Sequence, residues 1–430
     1  MHFLSLKFIL KRSTENRSIF ADSFRRLLAV RRRFFYTEFD MSERIYFDNN
    51  ATTRTDDRVA EAMAPFLTEK YGNPNSLHEF GTEARRPLSE ALDRLYAGID
   101  AADEDTIIIN GCATEGNNTV LKSAWISQIL NGSKKQIIIS KVEHHSVSHT
   151  AEFLTAQGVE IIELPVNRCG VADADALKEL IDPDKTALVS VVWANSETGL
   201  INPIRRLCET AHENGVLFHT DAVQAVGKLP VSVREVPVDY LTFTAHKFHG
   251  PKGVGGLYLK NGAPFVPLLH GGDQMGGLRS GTVNTAGAVG MGLALELAVA
   301  ALPYENTVVR GLRDAFEDEV LKIDGTFVVG DRSLRTPNTS FISFKGIEGE
   351  AMLWDLNREG LAASTGSACA SESLEANPLF EAMNLNKDLS HTGIRFSLSR
   401  MSTEEEVVRA VEIVGRAVKR LRSISTDTNA

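Results

Sequence analysis

Residues 216–224 read VLFHTDAVQ and residues 240–247 read YLTFTAHK. Each stretch starts as a short apolar, β-rich run and ends in groups with chemistry: Asp221 and Gln224 in the first, His246 and Lys247 in the second. A short apolar run closed by polar residues fits a strand buried on both faces. The same form recurs upstream at 106–109 (TIII), 136–140 (QIIIS), 159–164 and 187–193 (ALVSVVW). Longer helical patterns lie between these runs, one of them over about residues 115–130. Strands alternating with helices predict an α/β fold with a mostly parallel sheet covered on both faces.

In such a sheet, ligands sit beyond the carboxyl ends of the strands. Residue 110 opens the turn NGCATE, after QIIIS come Glu143, His144 and His145, and after ALVSVVW comes Asn195. Five strand ends therefore deliver polar groups to one edge, the pattern of a single site built from many loops. A lysine amine partly withdrawn from water, as at Lys247, can form an imine with an aldehyde. A strand-end carboxylate, as at Asp221, can hold a pyridine nitrogen protonated. The loop-to-helix junction at 111–114 offers backbone amides and a hydroxyl to a phosphate. Together they predict a pyridoxal-phosphate site. No GxGxxG or GxxxxGK[ST] string points to a nucleotide instead. His144, His145 and His149 lack an HExxH pattern or a matching carboxylate, so no resident metal is expected.

The rest of the chain sets limits. Its 430 residues suffice for two domains, and a net charge of −10 disfavours a nucleic-acid partner. No apolar run is long enough to predict a membrane span. Residues 1–40 carry nine Lys/Arg against four acids. This basic leader is read as a mis-called start before Met41 in a cytoplasmic protein, the alternative being a mitochondrial transit peptide. Residues 41–300 are expected to form a large cofactor-binding domain closed by a helix over 286–301. Residues 301–422 are expected to form a smaller α+β domain, with strands at 339–344 and 394–398 and a helix over 403–421, and 423–430 a tail. Four cysteines with no paired spacing suit a reducing compartment. Cys112 and Cys208 read as packing residues and Cys169 as a turn residue. Cys369 sits among small residues, ASTGSACAS, and is expected on an exposed, mobile loop.

Several strings carry a closer resemblance: FDNNATT at 47–53, GNP at 72–74, ATE at 113–115, EH at 143–144, NSETG at 195–199, DAVQ at 221–224, HK at 246–247, RSGT at 279–282, GSAC at 366–369 and IRFSL at 394–398. In this order they resemble the class V, fold-type I pyridoxal-phosphate enzymes, and among them the NifS/IscS-type cysteine desulfurases. The resemblance spans about residues 45–422. It implies that Lys247 carries the cofactor, Asp221 pairs with its ring nitrogen, Gln224 bonds the ring hydroxyl and His144 stacks on the ring and shuttles protons. It implies a phosphate site from Ala113, Thr114, Thr244 and His246. Thr282 would reach the phosphate bound by the neighbouring subunit of a homodimer. Asn195 and Arg395 would bind the substrate carboxylate, Asn195 also lying against the cofactor. Cys369 would take sulfur from L-cysteine as a persulfide, leaving alanine. It would then pass the sulfur to an iron–sulfur scaffold protein, with Cys369 itself a transient cluster ligand. The alternatives on this fold are a selenocysteine lyase and a class V aminotransferase, the second with no need of Cys369.

Overall fold

The computed structural model describes residues 44–365, 378–386, 389 and 391–424. The basic leader and the segment bearing Cys369 lie outside the described residues. Everything below concerns the unit Tyr46–Ala430.

Seven strands form the central sheet: β1 (Thr106–Asn110), β2 (Gln136–Ser140), β3 (Glu160–Leu164), β4 (Thr186–Ser190), β5 (Leu217–Asp221), β6 (Tyr240–Thr244) and β7 (Gly255–Leu259). Their order is β3-β2-β4-β5-β6-β7-β1. The five strands β2 to β6 pair in parallel. Strand β7 runs antiparallel to both its neighbours, so β1 points the same way as the rest. Six carboxyl ends therefore share one edge, and Gly255 at the start of β7 meets Asn110 and Thr244 there.

Alternate side chains of each strand enter two apolar layers. Ile138, Val189, Phe218, Leu241 and Phe243 pack on one face with Leu95, Leu207 and Leu295. Ile137, Ile139, Leu188, Tyr240 and Leu257 pack on the other with Leu121, Val147 and Leu154. Those partners belong to helices α1 (Glu79–Gly98), α2 (Ala113–Ala124), α3 (His145–Thr155), α4 (Ile204–Glu213) and α5 (Thr285–Ala300). The expected helix over 115–130 is divided: α2 starts two residues earlier and gives way to a π-helical turn, Trp125–Leu130. Strand β4 stops at Ser190, three residues short of its expected end.

β7 is an addition to the expected strands, and it opens on two glycines, Gly255 and Gly256. The sheet requires them. A Cβ at Gly256 would lie 2.2 Å from the Phe243 ring, and one at Gly255 would lie 2.6 Å from Asn110 Oδ1.

A second sheet follows the order β10-β9-β8, all antiparallel: β8 (Thr326–Val328), β9 (Thr339–Phe344) and β10 (Gly393–Ser397). Helices α6 (Arg310–Val320), α7 (Gly349–Arg358) and α8 (Glu404–Ile424) accompany it. Phe316 on α6 meets Phe47 edge-on and leans on Phe396 of β10. Beside β10 runs the segment after Phe47: Ser397 N donates to Phe47 O at 2.7 Å and Asn49 N to Ser397 O at 3.1 Å. That pairing carries Asn50 and Ala51 to the edge where the strands of the central sheet end.

Candidate active site

Asp221 is the last residue of β5 and is buried. Its Oδ2 accepts from Asn117 Nδ2 at 2.7 Å and its Oδ1 from Val223 N at 3.0 Å. Asn117, inside α2, also donates to Ser146 Oγ at 2.8 Å, and Ser146 Oγ lies 2.8 Å from His144 Nδ1. A hydrogen-bonded chain thus joins the strand-end carboxylate to the histidine that caps α3. The His144 ring faces the open cleft, yet the surrounding protein lowers its pKa, with Asp221 opposing and Lys247 adding to the effect. It is a neutral imidazole near pH 7. Beside it, burial pushes the Glu143 carboxyl up to about 8.

Lys247 closes the short 3-10 turn after β6. Its Nζ donates to Asn50 O at 2.6 Å and to Ala51 O at 2.9 Å. Gln224 Nε2 donates to the same Asn50 carbonyl at 3.0 Å. Thr244 is buried and its hydroxyl donates to Val254 O. His246 Nδ1 lies 3.2 Å from Thr52 Oγ1, and burial, helped by Lys247, pulls its pKa down to about 4.

Arg395 projects from β10, buried, with Nη1 donating to Ser196 O at 3.0 Å and Nη2 to Asp48 Oδ1 at 2.8 Å. Its Nε is buried without a partner. Asn195 shapes its own turn: Oδ1 accepts from the amides of Glu197 and Thr198 and from the Thr198 hydroxyl, while Nδ2 faces Val142 O at 3.3 Å. The Ser196 carbonyl, next along that loop, is shared by Asn50 Nδ2 and Arg395. Ala113 and Thr114 form the first turn of α2, and Thr282 lies on an exposed stretch after Arg279, whose Nε pairs with Glu115 at 2.8 Å. Cys112 is exposed at the N-cap of α2, which corrects its reading as a packing residue; Cys208 is buried, with a thiol pushed up to about 12.

The family model for class-V aminotransferases matches residues 45–409. The cysteine desulfurase NifS of Azotobacter vinelandii is 43% identical over 89% of this chain and 94% of its own length. The cysteine desulfurase IscS of Dictyoglomus turgidum is 44% identical, covering 90% of this chain and 97% of its own. A solved NifS-like protein superposes with a TM-score of 0.83 at 36% identity, over 88% of this chain and all of that one.

The chain belongs to the class-V aminotransferases, among the NifS/IscS-type cysteine desulfurases. These are fold-type I pyridoxal-phosphate enzymes, and the cleft fits that cofactor. Helix α2 starts with no side chain capping it, which leaves its first amides to a phosphate. Asp221 offers a buried carboxylate, Gln224 an amide and Lys247 an amine in the same cleft. The parallel strands put these groups at one sheet edge.

The sequence had not singled out Asn50, Asn117, Asp48 or Lys228. FDNNATT was the only signal for two of them, and it carried no role until the chain brought it to Lys247.

Proposed function

We propose that this protein is a pyridoxal-phosphate-dependent cysteine desulfurase, a sulfurtransferase that turns L-cysteine into L-alanine and leaves the sulfur on Cys369 as a persulfide. The observation that carries the reading is the convergence of the Lys247 amine and the Asp221 carboxylate on one cleft, in a chain whose NifS and IscS relatives are named for this activity.

The reaction balances without an oxidant. The substrate's Cβ–S bond breaks and an S–S bond to Cys369 forms. The hydrogens of the two thiols end on the new methyl group and on the persulfide sulfur. Bound pyridoxal phosphate supplies an electron sink for the charge left when the α-proton leaves. Asp221 holds a proton on the ring nitrogen, and Asn117 orients that carboxylate. Lys247 Nζ takes the α-proton and returns one. Arg395 receives the substrate carboxylate, for which its planar fork suits better than an ammonium. His144, neutral and linked through Ser146 and Asn117 to Asp221, moves a proton near the departing sulfur. Cys369 attacks that sulfur as a thiolate.

The same reading makes the protein a homodimer, with Thr282 directed at the partner's phosphate. It makes an iron–sulfur scaffold protein the sulfur acceptor, with Cys369 a transient cluster ligand at handover. It also puts the protein in the cytoplasm.

The test is a mass spectrum of the holoenzyme after incubation with L-cysteine, read beside an alanine assay. Alanine together with one added sulfur on the peptide bearing Cys369 is expected. A keto acid with no added sulfur on that peptide would overturn the reading in favour of an aminotransferase.

A further inference from the structure

Lys228 is a buried lysine, 6% exposed, that no step above uses. It lies four residues beyond Gln224, in a run of turns. Its Nζ donates to Gln224 Oε1 and, at 3.0 Å, to Asn50 Oδ1. The charged groups around it are Lys247 and Arg395, of like sign, and Glu305, of opposite sign. Burying an ammonium among cations is costly unless its hydrogen bonds are made.

An ammonium has donors only. Burial lowers its pKa to about 7, and in either protonation state its N–H groups are met by an acceptor from each neighbouring amide. Gln224 must present Oε1, which turns Nε2 to the Asn50 carbonyl at 3.0 Å. Asn50 must present Oδ1, where Asn338 Nδ2 also donates at 3.0 Å. Asn50 Nδ2 is thereby turned to Thr339 Oγ1 at 2.9 Å and Ser196 O at 3.1 Å. Lys228 sets the flip of Gln224 and, together with Asn338, that of Asn50, and the Asn50 main-chain carbonyl between them is the one that accepts from Lys247.

We propose that Lys228 is a positioning residue that fixes the Gln224 amide and, through Asn50, the carbonyl that receives the Lys247 amine. The inference rests on the pyridoxal-phosphate reading of the cleft. With its donors in place, Gln224 offers N–H rather than C=O to the cofactor side. Without them the amide is free to turn, and cofactor affinity falls.

The test is a double-mutant cycle on the dissociation constant of pyridoxal phosphate, followed by visible absorbance in the full-length protein. Lys228→Met is expected to weaken binding about tenfold, as loss of a charged hydrogen bond implies. Gln224→Ala weakens it too, and the double variant is expected to be no weaker than the worse single one. Lys228→Gln, which keeps an N–H donor, restores affinity to within threefold of the parent. Strictly additive losses, an unchanged constant in Lys228→Met, or a full loss in Lys228→Gln would overturn the proposal. Should Lys228→Met not fold, the Lys228→Gln arm alone decides. A parent protein that stays colourless would instead sink the cofactor reading, so the two failures are distinct.

Discussion

Arg395 Nη2 holds Asp48 Oδ1 at 2.8 Å while its Nε stays buried and unpartnered. One edge of the guanidinium is therefore half engaged and half vacant, in a cleft that also holds the Lys247 amine. A carboxylate arriving there can compete with Asp48 for the Nη2 end and share the charge. Arg395→Lys keeps the charge but loses the fork. The expected result is a KM for L-cysteine raised by roughly 10- to 100-fold with kcat changed much less, the size of one or two charged hydrogen bonds. Steady-state alanine formation measures it. A KM that stays put would show that another group holds the substrate carboxylate.

Lys247→Ala removes the amine that meets Asn50 O and Ala51 O. The variant is expected to keep its fold, since Asn50 O still accepts from Gln224 Nε2 at 3.0 Å. It is expected to take up pyridoxal phosphate without the stable visible band of a lysine-bound cofactor. Absorbance after dialysis checks this, and a band of parental strength would assign the cofactor to another amine.

Much of this was readable before the fold. The strand-end residues were legible because β-branched runs stop where the chemistry starts, as at Asp221 and Lys247. The three-dimensional neighbours were not. Asn50 lies 197 residues from Lys247 and 178 from Lys228 in sequence, and only the pairing of 47–50 with β10 brings it in. Asn117 looked like an ordinary helical residue until α2 started at Ala113 and turned it toward Asp221. β7 was hidden by glycines whose role is steric, against Phe243 and Asn110.

Asn117→Leu tests the carboxylate's support. The side chain is fully buried, its Nδ2 serves both Asp221 and Ser146, and its Oδ1 has no partner to lose. Leucine fills a similar volume but donates nothing. Cofactor affinity and kcat are each expected to fall about tenfold, in line with the cost of an unsatisfied buried acceptor. A variant with both intact would show that Val223 N alone positions Asp221.

Glu143 gives a prediction in pH. Its Oε1 accepts from Ser140 Oγ at 2.5 Å and Val192 N at 2.7 Å, while Oε2 is buried without a partner. Burial raises the carboxyl from 4.5 to about 8 against those two donors, and Asp221 adds to the rise. The folded chain therefore keeps this proton up to about 8, whereas the unfolded chain releases it near 4.5. Between those values the folded state binds one proton more, so this group's stabilisation is full below the lower value and shrinks as pH rises to the upper one. Glu143→Gln keeps the shape and the Oε1 acceptor but does not titrate. Its melting temperature is expected to fall less than the parent's between about pH 5 and pH 8, and to exceed it above that window. Calorimetry of both proteins across that range decides: parallel curves would mean that Glu143 is ionised in the native state at neutral pH, with Oε2 satisfied by a group that can donate to it.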